Sequence, residues 1–149
     1  MAFLTDEQEQ TVVRAIAQAE KQTSGEIRIH MEEHAPREPL ERAARLFHEL
    51  GMDQTEEQNG ILIYVATEDH KVAVYAGKGV HRQVEDHFWN DVLQLILEHF
   101  REERHAEGLI AAVEKSAAKL AGMYPYARGD VNELTNKISY RERQKPENE

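Results

Sequence analysis

The segment from Asn59 to Gly79 constrains this chain more than any other. It reads N-G-I-L-I-Y-V-A, then T-E-D-H, then K-V-A-V-Y-A-G-K-G. Two runs rich in β-branched and aromatic residues flank a short polar turn, the pattern of an antiparallel hairpin. Ile61 to Ala66 is apolar at every position, so that strand needs cover on both faces. Asn59-Gly60 opens the hairpin and Gly77-Lys78-Gly79 closes it.

The flanks extend the pattern. Thr5-Asp6-Glu7-Gln8 fits a capping box, predicting a helix from about Asp6 to Gln22 with Val12, Val13, Ile16 and Ala19 on its apolar face. Glu26 to Glu32 alternates, with Ile27, Ile29 and Met31 against Glu26, Arg28, His30 and Glu32, which predicts a half-buried strand. Pro36 and Pro39 lead into a helix carrying Leu40, Ala43, Ala44, Phe47 and Leu50, stopped by Gly51. Strand, helix, strand implies a parallel pair with a right-handed crossover. The third strand, Lys71 to Gly77, returns antiparallel, so the sheet is mixed. Val84, Phe88, Val92, Leu95 and Ile96 define a long amphipathic helix, and Leu109, Val113, Ala117 and Leu120 another. The expected architecture is a three-layer α/β/α sandwich, because the apolar central strand needs two covers. We expect one domain over residues 1–140. Residues 126–140 read as an irregular tail docking through Leu134, Ile138 and Tyr140, and 141–149 as disordered.

Composition narrows the functional classes. At 149 residues the chain fits one domain with a real core. Its net charge of −10 argues against nucleic acid and anionic lipid as partners. With no cysteine, disulfides, thiolate zinc sites and cysteine nucleophiles are excluded. Neither a leader-like N-terminus nor a membrane span is evident, so a cytoplasmic location is expected.

Several motifs match only by letter. His30-Met31-Glu32-Glu33-His34 resembles an inverted zinc-protease motif, which requires a helix. On a strand, residues four apart are separated by roughly 13 Å and cannot share one zinc. These positions, like most of the eight histidines, read as exposed. Gly77-Lys78-Gly79 lacks the rest of a phosphate loop and follows an antiparallel strand, so no nucleotide is expected. Arg128-Gly129-Asp130 is a chance tripeptide, and Ser24, Ser116 and Ser139 lack the setting of a nucleophile elbow. The acidic constellations are more informative. One sheet edge gathers Glu32, Glu33, Glu68 and Asp69 with His34 and His70. The opposite edge gathers Glu26, Asn59, Gly77 to Gly79 and His81, with Glu85 and Asp86 in the following helix. Either edge offers hard oxygen donors suited to Ca²⁺ or Mg²⁺.

Asn59, Gly60, Leu62, Asp69, Gly77, Gly79 and Asp86 together resemble the pattern of the TPM domain family. That family is named for a thylakoid-lumen protein, a photosystem-repair protein and a nematode receptor-modulating protein. Ser24-Gly25-Glu26-Ile27-Arg28, Phe88-Trp89, Gly108-Leu109, Asp130 to Leu134 and Ile138-Ser139-Tyr140 resemble its short bacterial branch, extending the likeness from Leu4 to Tyr140. Lys78 departs from the acidic residue that related short members carry inside G-x-G, and the basic turn residue after Asp69 is offset, with His70 then Lys71. The resemblance implies an α/β/α sandwich, acid phosphatase activity as attributed to plant members, divalent-cation binding (mainly calcium), and association of bacterial members with LemA-type membrane proteins. Asn59, Asp69 and Asp86 carry over as candidates near a functional edge.

Two functions follow as expectations. The first is a non-enzymatic accessory module binding Ca²⁺ or Mg²⁺. Glu26 and Asp86 would supply charge and Asn59 a carbonyl, with Lys78 and His81 on the rim and Asp69 marking the alternative edge. The second is a metal-assisted phosphomonoesterase. Asp86 or Asp69 would hold the metal, His81 would act as general acid, and Lys78 or Arg82 would bind phosphate. Against the second stands the lack of D-x-D-x-T/V, C-x₅-R and R-H-G segments.

Overall fold

The computed structural model describes residues 3–126 and 138–140. The helix α1 (Asp6–Ala19) opens with the expected reciprocal cap, Thr5 accepting from the Gln8 amide and Gln8 from the Thr5 amide. There follow β1 (Glu26–Glu32), α2 (Pro39–Glu49), a single 3₁₀ turn at Met52–Gln54, β2 (Gly60–Ala66) and β3 (Lys71–Ala76). The short α3 (Lys78–His81), the long α4 (Asp86–Arg101) and α5 (His105–Met123), and β4 (Ile138–Tyr140) complete the chain.

The sheet runs β3-β2-β1-β4. β1 lies parallel to β2, from Glu26 opposite Gly60 to Glu32 opposite Ala66. β2 and β3 form the expected hairpin, from Ala66 opposite Lys71 to Ile61 opposite Ala76. β2 is buried at all of its positions, which is why it carries no polar face.

Alternation along β2 divides the core in two. Ile61, Ile63 and Val65 face one cluster with Val12 and Ile16 of α1, Val92 and Ile96 of α4, and Leu109 and Leu120 of α5. Leu62, Tyr64 and Ala66 face the other, with Ala43, Leu46 and Phe47 of α2 and Met52. The three-layer sandwich expected from the strand pattern is therefore present, with α2 alone on one face of the sheet.

Two expectations are corrected. Ile138–Tyr140 reads as irregular from sequence, yet it pairs parallel with β1, Ile29 opposite Ile138 and Met31 opposite Tyr140. Three residues are too few to show a period, and the pairing partner lies more than a hundred residues away. As a result β1 becomes an inner strand. Its second face, which Arg42 of α2 reaches, is not solvated either. Glu26, His30 and Glu32 are buried and Arg28 is half-buried. Leu134, Arg128-Gly129-Asp130 and the segment 141–149 lie outside the described residues.

Candidate functional site

At the C-terminal ends of β1 and β2 the alternating polar residues of β1 form a network. Register sets His30 beside Tyr64 and Ser139. Arg42, from the first turns of α2, reaches the Glu32 carboxylate with two charge-assisted bonds, Nε to Oε2 at 2.9 Å and Nη2 to Oε1 at 2.8 Å. The Tyr64 hydroxyl donates to the same Oε2. His30 places Nε2 3.4 Å from Glu32 Oε1 and Nδ1 2.9 Å from Ser139 Oγ. A carboxylate only accepts, so a neutral His30 bonded to Glu32 carries its proton on Nε2, while the Ser139 hydroxyl lies within reach of both Nδ1 and the Ile29 carbonyl, 3.3 Å away. Burial pushes the Glu32 carboxyl up, but Arg42 and Tyr64 outweigh it, and the group sits below the usual carboxylate range. Burial is the main reason that His30 falls below 6.5. Burial and the adjacent Glu32 both raise the Tyr64 phenol. This arrangement holds charge in place. Every Glu32 oxygen is already committed, which leaves it poorly suited to take up a proton from a substrate.

Above this network, the acidic rim is also tied down. Asp69 bonds His34 Nδ1 through Oδ1 at 2.8 Å and the Ala35 amide through Oδ2 at 2.7 Å. The hairpin turn is thereby tied to the loop after β1, helped by the Glu68 amide on the Glu33 carbonyl. His34 lowers the Asp69 carboxyl, and Asp69 raises the His34 imidazole.

The opposite edge is built from main chain. The Gly77 amide donates to the Gly60 carbonyl at 2.8 Å and the Gly79 amide to that of Gln58 at 2.9 Å. A Cβ on Gly77 would stand 2.5 Å from the Gln58 oxygen, and one on Gly79 2.2 Å from the Glu57 oxygen. The G-x-G motif thus serves close backbone approach to residues 57–58 rather than a phosphate. Gln58 adopts φ 52° and ties its own side chain to the Asp53 and Thr55 carbonyls. At the same end of the sheet Glu26, 6% exposed, opens β1 and Asn59, 3% exposed, directly precedes β2. Lys78 and His81 are exposed on α3, and Asp86 is exposed in the first turn of α4. The fold therefore brings Glu26, Asn59 and the Gly77–Gly79 turn to one edge, and Asp69 to the other. Among the described residues, no three His, Asp or Glu side chains gather into a metal-holding group.

The family model for the TPM domain matches residues 1–119. This chain belongs to the TPM domain family. A solved structure of BA42, a protein from the psychrophilic bacterium Bizionia argentinensis, is 42% identical and superposes with a TM-score of 0.87, covering 93% of this chain and 96% of that one. The N-terminal domain of a P. gingivalis protein shares the fold at TM-score 0.69 and 18% identity, over 85% of this chain and 82% of that one. The N-terminal domain of cg2496 from Corynebacterium glutamicum does so at 0.62 and 12%, over 86% and 78%. No curated protein matches the chain. Among the described residues of this TPM domain, no helix is long and apolar enough to cross a membrane.

Sequence reasoning missed Arg42, Tyr64, His30 and Ser139 as one unit. Its only trace is the spacing of two in β1, which puts His30 and Glu32 on one face, together with a tyrosine inside the otherwise aliphatic β2.

Proposed function

We propose that this TPM domain is a non-enzymatic accessory module that takes a divalent cation, Ca²⁺ or Mg²⁺, where β1 and β2 begin. The observation behind this reading is the burial of a carboxylate and an amide, Glu26 and Asn59, where two neighbouring strands begin, at the sheet end that also holds the Gly77–Gly79 turn. These are the hard oxygen donors such ions take. Glu26 would supply charge, Asn59 a carbonyl oxygen, and Asp86 a further carboxylate from the start of α4. Lys78 and His81 would form the rim. The ion would order the loops of this edge and tune docking to a partner, of the LemA membrane-protein type by family resemblance. The opposite edge is less suited, because both Asp69 oxygens already bind protein donors.

Thermal unfolding in EDTA, then in millimolar CaCl₂ or MgCl₂, tests this. A ligand that binds only the folded state stabilises by about 2.7 kcal/mol at a hundredfold excess over Kd. The Tm is expected to rise by several degrees. Glu26→Gln and Asp86→Ala should abolish the rise, and Asp69→Ala should keep it. A rise lost only in Asp69→Ala would move the site to the other edge, and no rise would remove the cation. Turnover of a phenyl phosphate ester that falls in Asp86→Ala and His81→Ala would instead establish the phosphomonoesterase.

A further inference from the structure

At the far end of the sheet from Glu26 and Asn59, on the face covered by α1, α4 and α5, lies a cavity of about 220 Å³. Val65 and Leu97 contribute apolar surface to it, and Phe3, Phe100 and His105 form an aromatic wall. That wall is organised. Phe3 stacks on the His105 ring at 3.9 Å, Phe100 meets both rings edge-on, and His105 Nδ1 donates to the Phe3 carbonyl at 3.2 Å.

The charge at this cavity runs against the molecule's. The chain carries −10 overall, yet Lys71 and Arg101 line the cavity together with His70. Neither Lys71 nor Arg101 has an ion-pair partner among the described residues. Among the described residues no acidic side chain lines the cavity; of the carboxylates nearby along the chain, Asp69 is held by His34, and Glu102 and Glu107 by Arg104. His105 is also the first residue of the nineteen-residue α5, and no side chain caps that end. The negative pole of α4, which ends at Arg101, lies at the same place and offsets the positive pole of α5, so Lys71 and Arg101 carry the charge of the cavity.

We infer that this cavity is a binding site for a small organic anion, one carboxylate or phosphate on an apolar, ring-sized body. An engineered apolar cavity of about 150 Å³ holds benzene, so the volume here accommodates a ring and its headgroup. The aromatic wall and aliphatic floor take the body, and Lys71 and Arg101 take the charge. The site is separate from the proposed cation edge and does not depend on it.

Two-dimensional ¹H–¹⁵N NMR titration of the full chain with benzoate, phenyl phosphate and benzyl alcohol tests the inference. Saturable shifts are expected for benzoate or phenyl phosphate at residues 65–71, 97–101 and 105, with the tighter of the two identifying the headgroup. Benzyl alcohol should bind at least tenfold more weakly. Lys71→Gln and Arg101→Gln, both at exposed positions, should each weaken anion binding five- to tenfold with an unchanged Tm. Equal binding of benzyl alcohol, shifts mapping elsewhere, or no saturable shift by about 50 mM would each overturn it.

Discussion

Tyr64 shows how one side chain inside an aliphatic strand changes what the neighbouring strand must carry. Its hydroxyl is buried and needs an acceptor, and Glu32 on the adjacent strand supplies one. The carboxylate in turn needs a cation, which Arg42 supplies. Removing Arg42 therefore leaves a charge buried alone. Arg42→Met is expected to cost roughly 3–5 kcal/mol in urea unfolding at pH 7, and Tyr64→Phe about 1.5–3 kcal/mol. The folded Glu32 carboxyl lies below its usual 4.5. Its contribution is thus present above 4.5 and is lost as pH falls through the lower folded value. In Arg42→Met that loss should begin at higher pH. His30 has the same sign for a different reason. Its folded value lies below 6.5, so the unfolded chain takes the proton first and stability declines as pH drops below 6.5. His34 and His48, raised by Asp69 and Asp53, act oppositely, contributing below 6.5 and losing that contribution as pH rises through their folded values. Ring NMR titration should place His30 below 6.5 and His34 and His48 above it. No sequence motif marks the network as a whole, because a buried network of this kind is set mainly by the register between strands.

Among the elements, α1 was fully legible at its start and less so at its end. Thr5 and Gln8 cap each other as their spacing requires, and Thr5→Ala should cost about 1 kcal/mol. The last turn stops at Ala19 rather than near Gln22, because no single residue enforces the end. The turn from β3 into α3 offers a sharper test. A methyl on Gly79 would collide with the Glu57 carbonyl oxygen, so Gly79→Ala should cost about 1–3 kcal/mol as an overpacked site. It should also weaken any Ca²⁺ response, since the same contact shapes the Asn59 edge. Gly122, in the last turn of α5, meets nothing within 4 Å. Gly122→Ala should gain about 0.5 kcal/mol at most, and the contrast in Tm between the two variants isolates the backbone contact from general propensity.

For the molecule as a whole, net charge sets the control for any cation experiment. A charge of −10 repels itself in the folded state, and salt screens that repulsion over a Debye length of about 10 Å at 0.1 M. KCl should therefore raise Tm modestly, and a CaCl₂ effect counts as binding only where it exceeds KCl at equal ionic strength. The amino-acid pattern alone determined the hairpin, the parallel crossover, the mixed sheet and its two covers, because hydrophobic periodicity and turn residues act over a few positions. It also carried the family, through Asn59, Asp69, the two hairpin glycines and Asp86. Only the tertiary structure decided that β1 is an inner strand, that Glu32 and His30 are buried partners, and that Phe3, Lys71, Arg101 and His105 share one cavity. Those facts depend on contacts between residues tens to a hundred positions apart, where no local period reaches. A polar strand face looks the same in sequence whether water or another strand's tyrosine lies against it.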